Sequence, residues 1–374
     1  MDIDNKFMKQ TYIFIASSLG YLIGGGFMSG QESMQYFVPF GYKGILVSLT
    51  FVILIVITNL GFVYAGTHGK VSKGTDVYTY FCGPVFGKAF EWFAIIFCLT
   101  MYIAEIAAGG AILYEQYNLP ILIGASATAI LTAFTVTVGL NSVLKSLGAI
   151  TPFLVIFIIV IGGITIMKYG GNLSDYIHRI NSGEFTLLKV APNWFLSGFS
   201  LVGLMVLFLS SFTTDLATKY SKKPLIVGQT IGLILFAALE LMQAFAISSD
   251  IENIEGKQIG TLILASRIWE PLGMVFGILI FLAIYTICTP LVHVIASKFT
   301  KEGTTKNKIL VWSIALIALV SALLFPFDEI INFVYKISAI MGSAIVLFVF
   351  IKFVRIIIGN NKEYKADKRS DTVK

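Results

Sequence analysis

The sequence is poor in charged residues, and this shortage decides the class of protein. Only 13% of the 374 residues are Asp, Glu, Lys or Arg, whereas 56% are hydrophobic. Soluble domains carry about 25% charged residues, so the composition excludes a soluble globular protein. We therefore predict an all-α integral membrane protein with a single transmembrane domain over 1–374.

Residues that carry metal, redox or hydrolytic chemistry are also scarce. The chain has three cysteines and three histidines, and none has the spacing of a disulfide framework or a metal site. No Ser/His, His-Glu-x-x-His or paired-aspartate arrangement indicates an enzyme, and no filter motif indicates a channel. The net charge of +6 comes from residues at segment ends, so it does not indicate a nucleic-acid partner. We predict no enzymatic activity and no cofactor beyond a coupling sodium ion or proton.

Apolar segments of about 20 residues, long enough to cross a bilayer as helices, fill most of the chain. Ten such spans are predicted, at 11–38, 42–66, 89–116, 120–140, 145–168, 191–216, 224–248, 270–298, 307–326 and 328–356. The polar, basic tail at 359–374 has the composition of a disordered segment.

The distribution of Lys and Arg predicts the orientation in the cell membrane. With the N-terminus in the cytoplasm, 20 of the 27 Lys and Arg residues lie in cytoplasmic segments and six on the other side, and Lys336 lies within the tenth span. Cytoplasmic loops carry the excess of positive residues. Both termini are therefore expected in the cytoplasm.

Three consecutive glycines interrupt the first span near its middle, at Gly24, Gly25 and Gly26. Each glycine inside a helix costs about 1 kcal/mol relative to alanine, and backbone released at that depth needs protein, water or an ion as its partner. Secondary transporters form their solute sites at such broken helices. Close packing of helices through small residues is the alternative explanation.

Ten spans divide into two sets of five, with repeat one at about 11–168 and repeat two at about 191–356. The sixth span carries Gly198 and Gly203, roughly where the first span carries its glycines. Because each set has an odd number of spans, the two sets have opposite orientations in the membrane. We therefore expect an inverted repeat with spans one and six both broken, although packing is again an alternative role for Gly198 and Gly203.

The glycine-rich segment carries a family resemblance. It resembles the opening signature of the YkvI-like bacterial membrane proteins, which look like members of the amino acid–polyamine–organocation superfamily with the LeuT-type fold. The residues that carry the resemblance are Gly24-Gly25-Gly26-Phe27-Met28-Ser29-Gly30-Gln31-Glu32, Gln35-Tyr36-Phe37 and Phe40-Gly41. It implies a solute site at the two breaks, lined by Gly24, Gly25, Gly26 and Phe27 in span one and by Phe199 and Ser200 in span six.

The resemblance also implies a sodium site between the first break and span eight, built from the oxygen ligands that a hard cation prefers. Its members are carbonyl and hydroxyl groups, those of Gly20, Ile23, Ala283, Thr286 and Thr289. Sodium-coupled relatives usually carry a second hydroxyl beside that of Thr286, where this chain has Ile287. We therefore expect weak sodium binding or none. Hydrogen bonding of the two threonines to their own helix is the alternative.

Charged residues inside spans are costly and usually functional. Glu105 lies near the middle of span three with Tyr102 one turn before it, and Glu32 lies six residues beyond Gly26. Either glutamate can receive a solute ammonium or carry a coupling proton, and Glu105 is the first choice. Glu105 can instead be a buried structural partner of another span, and Glu32 can be a carboxylate exposed in the outer vestibule. Lys336 of span ten is a candidate structural partner for either.

We predict a cation-coupled secondary transporter of a small amine-containing or zwitterionic solute such as an amino acid. The alternative is a membrane sensor that binds such a solute without moving it. Glu91 and Glu240 receive no role at this stage, and the oligomeric state is not predicted.

Overall fold

The computed structural model describes residues 2–68, 71–257, 259–324 and 327–371, without the side chains at 2–4, 115, 327–330, 332, 336 and 360–371. Over these residues the regular structure consists of α-helices and short 3-10 turns. Nine of the helices described are long and apolar enough to cross a membrane. The chain is a multi-pass membrane protein.

The helices follow one another with short connections and are numbered in chain order. They are α1 (Asp2–Leu22), α2 (Gly25–Met28), α3 (Gln31–Tyr36), α4 (Gly44–Thr67), α5 (Val77–Tyr117), α6 (Ile121–Val138), α7 (Leu140–Tyr169), α8 (Leu173–Ser182), α9 (Trp194–Lys219), α10 (Lys222–Ser248), α11 (Ile251–Ile254), α12 (Gly260–Ile268), α13 (Glu270–Phe299), α14 (Thr305–Ala322) and α15 (Phe327–Asp371). Short 3-10 turns lie at Val38–Lys43, Gly74–Asp76 and Gly170–Asn172.

The predicted spans agree with these helices to within a few residues at most ends. The exceptions are α1, which begins at Asp2 rather than at 11, α15, which ends at Asp371 rather than at 356, and α5. Helix α5 begins at Val77 rather than at 89 and continues through a kink where Gly83 has φ +79°. The first predicted span, 11–38, is divided among α1, α2 and α3. The grouping of the spans into two inverted sets stays a prediction.

Span six is not broken, and this part of the sequence prediction is wrong. Helix α9 runs without interruption from Trp194 to Lys219. A Cβ atom on Gly198 would lie 2.8 Å from the carbonyl oxygen of Val47, and one on Gly203 would lie 2.7 Å from the amide nitrogen of Ser343. The two glycines therefore allow α9 to pack closely against α4 and α15, the packing role that small residues have between membrane helices.

The first span lies at the centre of the bundle. Helix α1 packs on α10, α7 and α13, and α9 packs on α4 and α15. Phe27 and Met28 of α2 are fully buried. The interruption in the first span is therefore enclosed by other helices rather than exposed to lipid.

Polar side chains gather at the two ends of the bundle. One end, here the Asp215 face, joins α9, α13 and the α13–α14 connection through Asp215, Lys219 and Glu302. The other, the Arg179 face, joins α8 to the α10–α13 connection through Arg179 and Glu252. Both faces connect elements that are distant in sequence.

Two predictions fall on residues outside those described. The side chain of Lys336, considered as a partner for a buried glutamate, lies outside them, and so do most side chains of the tail at 359–374. The pairing of Lys336 and the disorder of the tail stay predictions.

Candidate functional site

The helical hydrogen bonds of the first span end with that of the Ile23 amide, which donates to Leu19 O at 2.7 Å. In a continuous helix the Gly24 and Gly25 amides would donate to the carbonyls of Gly20 and Tyr21. Instead the Gly24 amide donates to Leu22 O at 3.0 Å, and the Gly25 amide donates to a side chain. The Gly20 and Tyr21 carbonyls are thus released from their usual donors, and the described backbone offers no donor to Ile23 either.

The side chain that binds the Gly25 amide is the carboxylate of Glu105, on α5. Its Oε1 and Oε2 atoms lie 3.2 and 3.1 Å from the Gly25 nitrogen, and Glu105 is only 1% exposed. A hydrogen bond from a backbone amide to a buried carboxylate stabilises both groups, because neither has water as an alternative partner. Glu105 therefore fixes the start of α2.

Glycine is required at the break because other side chains fill the space a Cβ would need. A Cβ on Gly24 would lie 2.6 Å from Ile287 Cδ1, and one on Gly25 would lie 2.7 Å from Glu105 Oε2. One on Gly26 would lie 2.7 Å from an oxygen of Glu32. The three glycines thus bring two carboxylates and Ile287 against the interrupted backbone.

A third buried carboxylate, Glu240 of α10, joins this cluster. Glu240 lies against the first turn of α3, where Ser33 directly follows Glu32. Glu240 Oε2 accepts a hydrogen bond from Ser33 Oγ at 2.5 Å, whereas Glu240 Oε1 and Glu32 Oε2 are buried without a donor. We call Glu32, Glu105 and Glu240 the break acids.

Two tyrosine hydroxyls add to the unsatisfied polar groups here. The hydroxyl oxygen of Tyr335, on α15, would lie 2.4 Å from a Cβ on Gly26, so it sits beside Glu32. Tyr335 is 3% exposed and Tyr36 is fully buried, and neither hydroxyl has a hydrogen-bond partner. Buried polar atoms without partners are few in folded proteins, and those of Glu32, Tyr36, Glu240 and Tyr335 are among the ones that the described chain contains.

A second interruption follows at Ser29 and Gly30, where Gly30 has φ +84°. Gln243 of α10 donates to the carbonyl oxygen of Phe27 at 3.1 Å, and the Thr261 hydroxyl of α12 donates to that of Met28. Helix α2 is therefore a single turn held between two interruptions by α5, α10 and α12.

The residues of the predicted sodium site lie close to the break. The carbonyls of Gly20 and Ile23, both named in that prediction, lack a backbone donor among the described residues, as does that of Tyr21, which was not part of it. The sodium site itself stays a prediction. On α13 the hydroxyl of Thr286 donates to Ala283 O at 2.7 Å, and that of Thr289 donates to Thr286 O at 3.1 Å. Both threonine hydroxyls thus satisfy their own helix, while Ile287 packs against Gly24.

Three other predicted site residues do not join the cluster of acids. Tyr102 is fully buried, and its hydroxyl lies towards Thr132 and Cys288 without a hydrogen bond. Phe199 stacks on the exposed ring of Phe195, on the outward side of α9, and Ser200 beside it is half-buried. The position of Phe199 follows from the continuous helix, since no break turns it inward.

Sequence reasoning missed Glu240, Gln243 and Tyr335. A signal was present, because Glu240 is an acid inside an apolar span and Gln243 lies one turn further along the same helix. Their shared face could be recognised as inward only once α10 was placed against α3.

The remaining buried acids of the described chain all contact basic side chains, and we call them the face acids. Glu91 pairs with Lys298, Asp250 pairs with Arg267 at 2.6 Å, and Asp215 accepts from His293 and Lys219, each at 3.0 Å. No Lys, Arg or His described in the structure forms an ion pair with a break acid. The two sets therefore differ in charge compensation.

A cleft of about 430 Å³ reaches the site from one side. Its lining includes Gln35, Lys189 and Val190 near the Arg179 face and Tyr335 at its inner end. Because Tyr335 borders both the cleft and Glu32, only that side chain is shown to stand between the cleft and the break acids.

Comparison with known proteins identifies the fold. No model of a protein family matches the chain. It is 24% identical over 231 residues to the uncharacterized membrane protein YkvI of Bacillus subtilis (strain 168). That alignment covers 59% of this chain and 62% of YkvI, so the chain spans less than two thirds of that relative.

Solved structures share the architecture over most of the chain. MhsT in complex with L-phenylalanine has a TM-score of 0.64 at 17% identity, covering 89% of this chain and 87% of its own. A Na⁺-coupled sialic acid symporter has a TM-score of 0.63 at 10% identity, covering 90% and 77%. A manganese transporter of Eremococcus coleocola has 0.52 at 12% identity, covering 93% and 79%. The chain is therefore a membrane protein with the LeuT-type transporter fold, and it is similar in sequence to YkvI.

Proposed function

We propose that this chain is a cation-coupled secondary transporter of a small amine-containing or zwitterionic solute, bound at the break in the first span. The observation that carries the proposal is the interrupted backbone at Ile23 and Gly24, enclosed by the bundle and faced by three buried carboxylates. Broken helices with released backbone groups near mid-membrane are the usual solute sites of such transporters. The solved structures of similar fold are transporters, which supports the same class.

The proposal includes an orientation and a repeat. We place both termini in the cytoplasm on the Lys and Arg distribution, so the Arg179 face and its cleft are extracytoplasmic. The two sets of five spans are taken as an inverted repeat in which span six is a continuous helix. Uptake through the cleft is then the natural direction for a solute.

For the coupling ion we propose a proton carried by the break acids. Buried carboxylates without cations are relieved by protonation, and three lie together here. The packing of Ile287 against Gly24 supports a weak sodium site, because a methyl group stands where a second hydroxyl would coordinate the ion. One of the similar structures is Na⁺-coupled. Sodium is therefore the alternative coupling ion, and the experiment must distinguish it from a proton.

The test is solute uptake into proteoliposomes under two separate gradients. A pH gradient without sodium is expected to drive accumulation, and a sodium gradient at uniform pH is not. If only sodium drives uptake, and Thr286→Ala abolishes it while Glu105→Gln does not, the proton proposal is wrong. Binding without accumulation under either gradient would instead identify a membrane sensor, the second candidate function.

A further inference from the structure

The carboxylate of Glu105 accepts the hydrogen bond of the Gly25 amide, the donor that the carboxylate of an amino acid solute would need. Both of its oxygens lie within 3.2 Å of the Gly25 amide, and its contact with Gly24 and Gly25 leaves no room for a Cβ atom. A solute carboxylate seeking the same amide would meet an anion already bound there.

Among the side chains that the structure describes, no basic group forms an ion pair with the rest of the cluster. Glu32 Oε2 and Glu240 Oε1 are buried acceptors without donors, and the Tyr335 hydroxyl beside them has no partner. An ammonium group carries one positive charge and three N–H donors. Its three N–H donors therefore match the three unfilled atoms, and its charge offsets one of the three negative charges.

A zwitterion fits the cluster poorly. Its ammonium would be attracted, but its carboxylate would add a fourth anion among three in a medium of low dielectric constant, where like charges repel strongly. The solute that completes this site brings a positive group and an uncharged body.

We infer that the solute is an organic amine in its ammonium form, without a carboxylate, and that Glu105 stands in for the missing carboxylate at the break. The ammonium lies between Glu32 and Glu240, beside Tyr335. The inference rests on the proposed function and narrows its solute class.

The test compares amino acids with the amines obtained by removing their carboxylate. The probes are L-phenylalanine and phenethylamine, L-lysine and cadaverine, and L-valine and isobutylamine, measured by thermal shift and direct binding on the full chain. A ligand that binds the folded state raises its apparent stability. At least one amine is expected to bind tenfold or more tightly than its parent amino acid.

Variants assign the effect to the named residues. Glu32→Gln and Glu240→Gln are each expected to weaken amine binding at least tenfold, while Glu270→Gln, an exposed acid on α13, matches the unmodified protein. Glu105→Ala frees the Gly25 amide, so the parent amino acid should bind at least tenfold more tightly than before. Glu105→Gln keeps the side-chain size, in case the alanine variant does not fold, and should lower the preference for the amine.

Several results would overturn the inference. The inference is wrong if none of the three amines binds more tightly than its parent amino acid. Lys336→Met should leave amine binding unchanged or make it tighter. If the Lys336→Met variant no longer binds the amine, Lys336 is part of the site instead. Accumulation of amino acids but not amines refutes the inference and leaves the transporter standing, whereas no accumulation of any probe under any gradient refutes the proposed function itself.

Discussion

The face acids and the break acids are all buried, yet among the side chains that the structure describes only the face acids pair with a basic group. Lys298, His293, Lys219 and Arg267 compensate the acids at the ends of the bundle. The acids around the first span have a backbone amide and a serine hydroxyl as hydrogen-bond donors. Burying an uncompensated charge costs several kcal/mol. The face acids therefore fix helices in place. The break acids are left to be compensated by the positive charge of a solute or by a proton.

The largest expected effect comes from moving Glu105 off the backbone. In Gly25→Leu the new side chain would start 2.7 Å from Glu105 Oε2, so the carboxylate must leave the Gly25 amide. Uptake in proteoliposomes should fall at least a hundredfold while membrane insertion is kept. Gly163→Leu on α7 is the control, because a Cβ there meets nothing within 4 Å. Normal uptake by Gly25→Leu would place the solute site elsewhere.

The second largest effect is expected from removing the cation of a face acid. Lys298→Met leaves Glu91 buried without its cation and should destabilise the protein by about 2 kcal/mol. This is less than the 3–5 kcal/mol for a fully buried pair, because the Lys298 side chain is 21% exposed. Unfolding in mixed detergent measures the loss. The double variant with Glu91→Gln should recover part of it, and equal stability of the single and double variants would contradict a structural pair.

The sequence predicted the span helices well, because an apolar run of about 20 residues in a membrane has helix as its main option. It also located the break in span one, where Gly24, Gly25 and Gly26 follow one another. It failed at Gly198 and Gly203 because a glycine that breaks a helix and one that admits a neighbour look alike in sequence. Only the contact between Gly203 and the backbone at Gly342 distinguishes them.

The candidate site was predicted only in part, for a related reason. Glu32 and Glu105 were identified from their depth in the membrane, which is readable in sequence. Glu240 has the same depth, but its role depends on the direction in which α10 presents it. That direction is set by packing between helices that are far apart in the chain, through contacts such as the one from Ser33 to Glu240.

A smaller effect, a gain rather than a loss of stability, is expected from replacing a break acid by a neutral residue. Glu240→Gln keeps an acceptor for Ser33 and removes one of two facing carboxyl groups. The variant should be more stable by about 1 kcal/mol, since replacing buried charge by a neutral group of similar size is often stabilising, while solute uptake falls sharply. A stability loss similar to that of Lys298→Met would show that Glu240 has a structural cation partner after all.

The smallest effect is expected at the exposed ion pairs of the Arg179 face, where water screens the attraction between the paired charges. Hydrogen bonds from the Arg179 guanidinium, 2.6 Å from Glu252 Oε1 and 2.9 Å from Glu184, hold the pKa of both carboxyl groups below the ordinary value. A carboxyl whose folded pKa is lowered contributes stability above its unfolded pKa of about 4.3 and loses it as the pH falls through the folded value. Arg179→Gln should therefore lower the melting temperature slightly at pH 7, and the difference from the unmodified protein should shrink below about pH 4 and in high salt. Melting curves at both pH values and two salt concentrations measure this. A difference that is the same under all four conditions would mean that Arg179 acts through packing on Tyr176 and Phe185 rather than through its charge.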